Sequence, residues 1–285
     1  MINIDLKTHN YNKNLDKPLK QQIISSFEKE GIIKFENLKE DFIDFIKQFT
    51  SNFANDANRR EERMCNKKIR NVDIGKQKIF LHSETSFSPS QPEIVWFYCI
   101  HPPKTNSGYT TYCDGMKLWE KLPANLKVFF LENPILYKLK IPVNLKIKKD
   151  PKTPKRKWYL EAPGVKNCFL DYSDLTMNLD YFKFAIEKSR FHNKLCFANH
   201  LLIPLDSEPQ ILKRSFLNQK NISKRNFELI ENLAEANTKT ISWKQNDLIM
   251  IDNYRFMHGR TEISKEENER DIVVVQSTRS NFRLG

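Results

Sequence analysis

His82-Ser83-Glu84 sets an imidazole and a carboxylate two residues apart, and the downstream segment Asp252-Asn253-Tyr254-Arg255-Phe256-Met257-His258-Gly259-Arg260 supplies a second imidazole. Two imidazoles and one carboxylate are the ligand set of a facial triad. Such a triad holds an octahedral Fe(II) by one face and leaves the opposite positions open for a cosubstrate and O2. Residues i and i+2 of a strand project to the same side, so one strand is expected to present both His82 and Glu84 to one ion. Gly259 directly after His258 permits a close backbone approach.

Each piece taken alone has a plainer reading. An isolated H-x-E is usually an accident of the surface, and a lone histidine is usually a satisfied core residue. Of the other histidines, His200 in Asn199-His200-Leu201 competes with His258 for the third position, whereas His9 lies in a polar tail and His101 beside Pro102-Pro103. Arg270 precedes the apolar run Ile272-Val273-Val274-Val275. A guanidinium at a strand start beside a metal can clamp a carboxylate as a bidentate fork, but the same residue also reads as a surface arginine of the charged loop 265–271.

The elements that must position these residues are short strands framed by helices. Leu19, Ile23, Ile24 and Phe27 recur at helical spacing and predict a helix over 18–30, ended by Gly31 and followed by a strand at Ile32-Ile33-Lys34-Phe35. A second helix is predicted over 39–50, with Phe42, Phe45, Ile46 and Phe49 on one face. The polar stretch 53–70 reads as helix or loop. Strands are expected over 79–82, over 93–100 as a run buried on both faces, and over 109–112. Asp114 reads as the N-cap of a helix stopped at Pro123, followed by a short helix over 125–132. Residues 136–206 are mixed and read as a lid-like insertion. Ser223 caps a helix over 223–237 with Phe227, Ile230, Leu233 and Ala234 inward, and strands follow over 240–243, 248–252 and 271–276. The expected class is mainly β with flanking helices (α+β), a jelly-roll-type barrel forming one domain over 1–285 with helical decoration over about 1–70.

Composition narrows the class further. The chain has 285 residues, 39% of them hydrophobic and 12% aromatic, which suits a folded globule and excludes compositional disorder. The N-terminal segment lacks the apolar run of a secretion signal, and no apolar stretch is long enough to span a bilayer. Five cysteines without a C-x-x-C pair suit free thiols in a reducing cytoplasm. The net charge of +12 raises the possibility of a nucleic-acid partner, but the lysines are scattered and no basic-aromatic stacking motif accompanies them, so neither nucleic acid nor membrane is expected. The dense cluster Lys146, Lys148, Lys149, Lys152, Lys155, Arg156 and Lys157, broken by Pro151 and Pro154, reads as a solvated loop or a dock for an acidic carrier protein.

Three ordered blocks resemble the taurine dioxygenase (TauD/TfdA) family. The first is His82-Ser83-Glu84-Thr85-Ser86-Phe87-Ser88 with Pro92 and Trp96-Phe97-Tyr98-Cys99. The second is Pro102-Pro103, then Ser107-Gly108-Tyr109-Thr110-Thr111-Tyr112-Cys113-Asp114 and Leu122-Pro123. The third is Asn237-Thr238, Trp243, Asp247-Leu248, Asp252-Asn253 and His258-Gly259-Arg260, closed by Arg270. Within the family the chain most resembles the branch of syringomycin-type aspartyl hydroxylases and related amino-acid hydroxylases. The resemblance implies a double-stranded β-helix of the cupin-like, clavaminate synthase-like kind and an oxygenase that uses Fe(II), 2-oxoglutarate and O2. It implies that His82, Glu84 and His258 bind the iron, and that Thr110 and Arg270 hold the distal carboxylate of 2-oxoglutarate. It further implies oxidation, by default hydroxylation, of an amino-acid-derived metabolite of secondary metabolism, free or tethered to a carrier protein, with succinate and CO2 as coproducts. Desaturation and ring closure are alternatives within that chemistry, and an inactive β-barrel binding protein is the alternative of another class.

The chain also departs from the family pattern. Halogenating relatives lack the carboxylate ligand, so Glu84 argues against halogen transfer. Val274 stands where taurine dioxygenases place a sulfonate-binding arginine, which argues against taurine. Ser107-Gly108-Tyr109-Thr110 replaces the usual G-G-[DE]-T, and Asn246, which tolerates a left-handed turn, replaces a glycine before Asp247.

Overall fold

The apolar run around Trp96 becomes strand Ile94–His101, in the interior of an eight-stranded sheet. The order across that sheet is Ile2–Asp5, Ile32–Glu36, Leu248–Asp252, Ile94–His101, Asp271–Ser280, Asn66–Asn71 and Glu62–Arg63, with Thr50–Phe53 also pairing to Asp271–Ser280. All pairs are antiparallel except the first. The structure is a computed structural model, and it describes residues 1–9, 14–38, 41–54, 61–72, 75–143, 156–157, 162–217 and 220–282.

Alternation along Ile94–His101 explains its burial on both faces. Val95, Phe97 and Cys99 point with Ile249, Ile251, Ile272 and Val274 into a core shared with Tyr112 and Phe256 of a second sheet. That second sheet has four strands, in the order Thr238–Thr240, Thr110–Asp114, Phe256–Arg260 and Ile79–His82. The other face of the large sheet, with Ile94, Trp96, Leu248, Met250, Val273 and Val275, is covered by the N-terminal helices. Two sheets packed in this way form the expected jelly roll.

Helix Lys17–Glu30 begins at Asp16, whose side chain accepts from the Leu19 N–H, and ends at Gly31 in the left-handed conformation. It buries Leu19, Ile23, Ile24 and Phe27, the predicted face. The second helix is shorter than predicted, Phe42–Lys47, because the Asp41 side chain caps it and strand Thr50–Phe53 follows closely; Phe49 stays buried beyond its end. In the stretch read as helix or loop, strands Glu62–Arg63 and Asn66–Asn71 form a hairpin instead, turned by Met64 and Cys65 at positive φ. Only Ile69 of these two strands is buried, so no apolar alternation announces them.

The described residues of the mixed stretch, together with a strand just beyond its end, hold a five-stranded antiparallel sheet. Its order is Arg156–Lys157, Val165–Asp171, Thr176–Lys183, Ile135–Pro142 and Ile211–Phe216. A hairpin of Ile186–Lys188 and Leu195–Phe197 follows the third of these in sequence. Tyr137, Leu139, Leu179 and Tyr181 pack this sheet against helices Gly115–Lys121, Ala124–Glu132 and Lys224–Ala236. Asp114 and Ser223 cap their helices as predicted. The strand expected over 240–243 lies earlier, at Thr238–Thr240. Lys146, Lys148, Lys149, Lys152 and Lys155 and the His9 side chain lie outside the described residues. Among the described residues no helix is long and apolar enough to cross a membrane.

Candidate active site

His82 closes strand Ile79–His82, and His258 sits directly opposite it in strand Phe256–Arg260, so the two imidazoles share one face of the small sheet. The strand carrying His258 was not among those expected. Its residues are all buried, and it is wedged between Ile79–His82 and Thr110–Asp114. Gly259 makes this wedge possible, since a Cβ there would lie 2.6 Å from the Ile79 carbonyl oxygen. The rings of His82 and His258 are 4.6 Å apart, and the edge of Phe97 from the facing sheet packs 5.1 Å from His258.

The ring nitrogens are assigned distinct tasks. His82 Nδ1 lies 2.8 Å from the Phe80 carbonyl, which directs Nε2 away from its own strand. Burial, together with His258 and His200 nearby, pushes the His82 imidazole well below its usual pKa, so it stays neutral and its lone pair remains available. His258 Nε2 lies 3.5 Å from Glu84 Oε2. Its Nδ1 is buried with no hydrogen-bond partner among the described residues, so packing and the Glu84 contact orient this ring.

Glu84 reaches the histidines by a different route from the one its spacing suggests. The strand stops at His82, and Glu84 lies in the turn that follows, ahead of Thr85 at φ 56°. A β-branched residue in the left-handed region is strained, and strain of this kind persists only where the surroundings enforce it. Here the Ser88 N–H and hydroxyl hold the Thr85 carbonyl, at 3.1 and 3.3 Å, and Asn253 holds the residue before it. Asn253 Oδ1 accepts the Glu84 N–H at 2.7 Å, while its Nδ2 donates to the carbonyls of Glu84 and Pro92, each at 3.0 Å. Gln91 donates to the Asn253 carbonyl and accepts from Lys183 of the five-stranded sheet. One ligand atom from each of His82, Glu84 and His258 can be chosen so that all lie within 4.8 Å of one another. Glu84 is 1% exposed, and the desolvation cost of burying its carboxylate is one that a divalent ion among these three side chains would offset. His200, the competing histidine, packs 5.3 Å from His82, but its Nε2 is taken by Glu208 at 3.2 Å.

Thr110 and Arg270 come together beside this cluster. Arg270 donates from Nε to the Gly108 carbonyl at 2.7 Å and from Nη2 to Thr110 Oγ1 at 3.4 Å. Trp243 Nε1 donates to the same oxygen at 3.0 Å. The Thr110 hydroxyl therefore accepts twice, and its proton is left to donate onward. Gly108 has φ 66°, and a Cβ there would lie 3.0 Å from Arg270 Cδ, so both the turn and the arginine need glycine at this position. Asn246 takes the left-handed turn expected of it, at φ 67°. A cavity of about 430 Å³ is lined by His82, Phe97, Thr110, His258 and Arg270 and also by Lys78, Arg260 and the turn Asp206-Ser207-Glu208.

The sequence matches the family of the taurine catabolism dioxygenase TauD, TfdA over residues 4–276. The chain belongs to this family. It is therefore an Fe(II)- and 2-oxoglutarate-dependent dioxygenase that consumes O2. No curated protein sequence matches the chain. Among solved structures the fold is similar to a taurine dioxygenase from Burkholderia xenovorans, with TM-score 0.62 and 14% identity over 96% of this chain and 85% of that one. It is also similar to AAD-2 in complex with Mn(II) and N-oxalylglycine, with TM-score 0.56 and 14% identity over 97% of this chain and 92% of that one.

Compared with this TauD-type frame, the sequence reading brought together five residues that the structure also gathers, and it gave Asn253, Gln91 and Trp243 no role. Asn253 and Trp243 stood inside quoted motifs, but only the folded backbone reveals which groups they touch. Asp206 and Glu208 carried no signal at all, since acids in a mixed segment read as solvated surface.

Proposed function

We propose that His82, Glu84 and His258 hold the iron, that Thr110 and Arg270 bind the distal carboxylate of 2-oxoglutarate, and that the enzyme hydroxylates a C–H bond of a small amino-acid-derived metabolite. The observation that carries this reading is the convergence of three ligand side chains from two strands and a turn, close to a separate pair of carboxylate-binding donors. When bound, iron, 2-oxoglutarate and O2 supply an oxidative decarboxylation that yields succinate and CO2 and oxidises the substrate.

The chain's own groups do the positioning. The Phe80 carbonyl fixes the His82 ring, Asn253 fixes the Glu84 turn, and Phe97 closes the inner side of the site against water. The Thr110 hydroxyl and the Arg270 guanidinium offer donors to one carboxylate. The cavity carries acids at Asp206 and Glu208 and cations at Lys78 and Arg260, which suits a zwitterion. Its volume of about 430 Å³ suits a small molecule. Glu84 occupies the position that halogen transfer would leave to a halide, which supports hydroxylation. Free thiols at all five cysteines suit a cytoplasmic enzyme forming a single oxygenase domain.

The test is anaerobic addition of Fe(II) and 2-oxoglutarate to the purified protein, with a visible metal-to-ligand charge-transfer band as the readout. Glu84→Ala and His258→Ala should each abolish the band and succinate release, and a wild-type protein that shows neither would overturn the assignment. Free amino acids and the same residues loaded on a carrier protein, offered in parallel, read out the substrate form.

A further inference from the structure

Glu267 is a buried carboxylate that belongs neither to the three-residue cluster nor to the cavity wall. Its two oxygens face two different loops. Oε2 accepts from the N–H of Lys104 and the N–H and hydroxyl of Thr105, each at 2.8 Å. Oε1 accepts from the N–H groups of Glu269 and Arg270, each at 3.1 Å. The first loop runs through Ser107 and Gly108 into Thr110, and the second ends in Arg270. Each loop thus delivers one half of the donor pair beside the metal cluster.

The surroundings hold this carboxylate between the two loops. Its backbone carbonyl is held from outside by Lys76 Nζ, which also takes the carbonyls of Ser264 and Lys265. Ser264 N–H donates to Ser107 Oγ, and Gly108 N–H donates to the Glu262 carbonyl. Five donors aimed at one carboxylate leave no room for a group that itself donates. An amide nitrogen at either oxygen position would meet N–H groups head-on, and a buried donor left unsatisfied weakens whatever it holds.

We infer that Glu267 is a positioning residue for the cosubstrate: by bridging the 104–105 and 269–270 turns it sets the separation of Thr110 and Arg270 that receives the carboxylate of 2-oxoglutarate. The inference rests on the proposed role of Thr110 and Arg270. Glu267 touches neither metal nor cosubstrate, so its loss acts on cosubstrate affinity and leaves the metal cluster intact.

The experiment is calorimetric titration of the full chain, first with Mn(II) and then, Mn(II)-loaded, with 2-oxoglutarate, for wild type, Glu267→Gln, Thr105→Val and Arg270→Ala. Glu267→Gln is expected to weaken 2-oxoglutarate binding about tenfold or more while Mn(II) affinity stays within about twofold. Thr105→Val removes one of the five donors, together with the contacts of its hydroxyl to Ser107 and Ser264, and keeps the carboxylate, so a smaller weakening of about two- to threefold is expected, and it serves if the glutamine variant does not fold. Unchanged 2-oxoglutarate affinity in Glu267→Gln, or in Thr105→Val where that variant stands in, overturns the inference, as does an equal loss of Mn(II) and 2-oxoglutarate binding. If Arg270→Ala weakens 2-oxoglutarate while Glu267→Gln does not, only the role of Glu267 fails. If Arg270→Ala also binds as wild type, the cosubstrate assignment itself fails.

Discussion

Asn253 shows how a single amide can bring a carboxylate to two imidazoles. It is fully buried and spends its side chain on the backbone on both sides of the Glu84 turn. Without it, the strained Thr85 keeps the Ser88 donors to its carbonyl but loses the anchor on the Glu84 backbone, and the Glu84 carboxylate loses its fixed approach to the two imidazoles. Asn253→Ala is expected to cost about 2–4 kcal/mol of stability, because it leaves three buried backbone groups without their partner. It should also weaken Mn(II) affinity by about tenfold or more, the size of effect seen when a group that orients a ligand is lost. Thermal melts and metal titration of the same protein separate the two effects, and unchanged metal affinity would show that the turn holds itself. The role of Asn253 was not legible in the sequence, where Asp252-Asn253 looks like an ordinary turn former. His82 and His258 were legible, because their residue types carry the chemistry. Strand alternation does not carry Glu84 to the site, because the strand ends two residues before it and a turn takes over.

At the level of elements, Asp114 links a strand, a helix and the turn that leads to His258. It ends strand Thr110–Asp114, and its Oδ1 accepts the Met116 N–H of the helix that follows. It also binds Arg255 in a bidentate fork, Nε to Oδ1 at 3.1 Å and Nη2 to Oδ2 at 2.7 Å. Asp114→Asn keeps an oxygen for the helix cap but breaks the fork and leaves a buried guanidinium short of its counter-charge. A loss of about 3 kcal/mol is expected. Asp114→Ala should lose about 1 kcal/mol more through the missing cap. Chemical denaturation of both variants checks the order, and equal losses would remove the cap from the account. The N-cap role of Asp114 was legible from its place before an apolar helix. The fork was not, because Arg255 lies in another strand connection and nothing local marks the pair. Similarly, the hairpin over 62–71 escaped detection because its strands are polar at the sheet edge, where burial imposes no alternation.

Across the whole molecule, acid stability should report on the Glu267 bridge. Burial alone would raise the Glu267 pKa, but the donors from Thr105, Glu269 and Arg270 overcome that and hold it at about 2, below its usual 4.5. A carboxylate depressed on folding contributes stability that is complete above its unfolded pKa and is lost as pH falls through its folded pKa. The stability gap between wild type and Glu267→Gln should therefore be widest above about pH 4.5 and shrink steadily toward pH 2. Urea melts across that range test this, and a constant gap would assign the loss to packing alone. By itself the sequence determined the jelly-roll class, the helices that cover the large sheet, and the residue types able to bind a metal and a carboxylate, because apolar periodicity and ligand chemistry are local properties. Only the tertiary structure decided how those residues meet. The pairing of His82 with His258, the clamp of Asn253 on the Glu84 turn, and the bridge of Glu267 between two loops each join segments far apart in the chain. Such contacts follow from strand order and backbone hydrogen bonding across the fold, which no local pattern encodes.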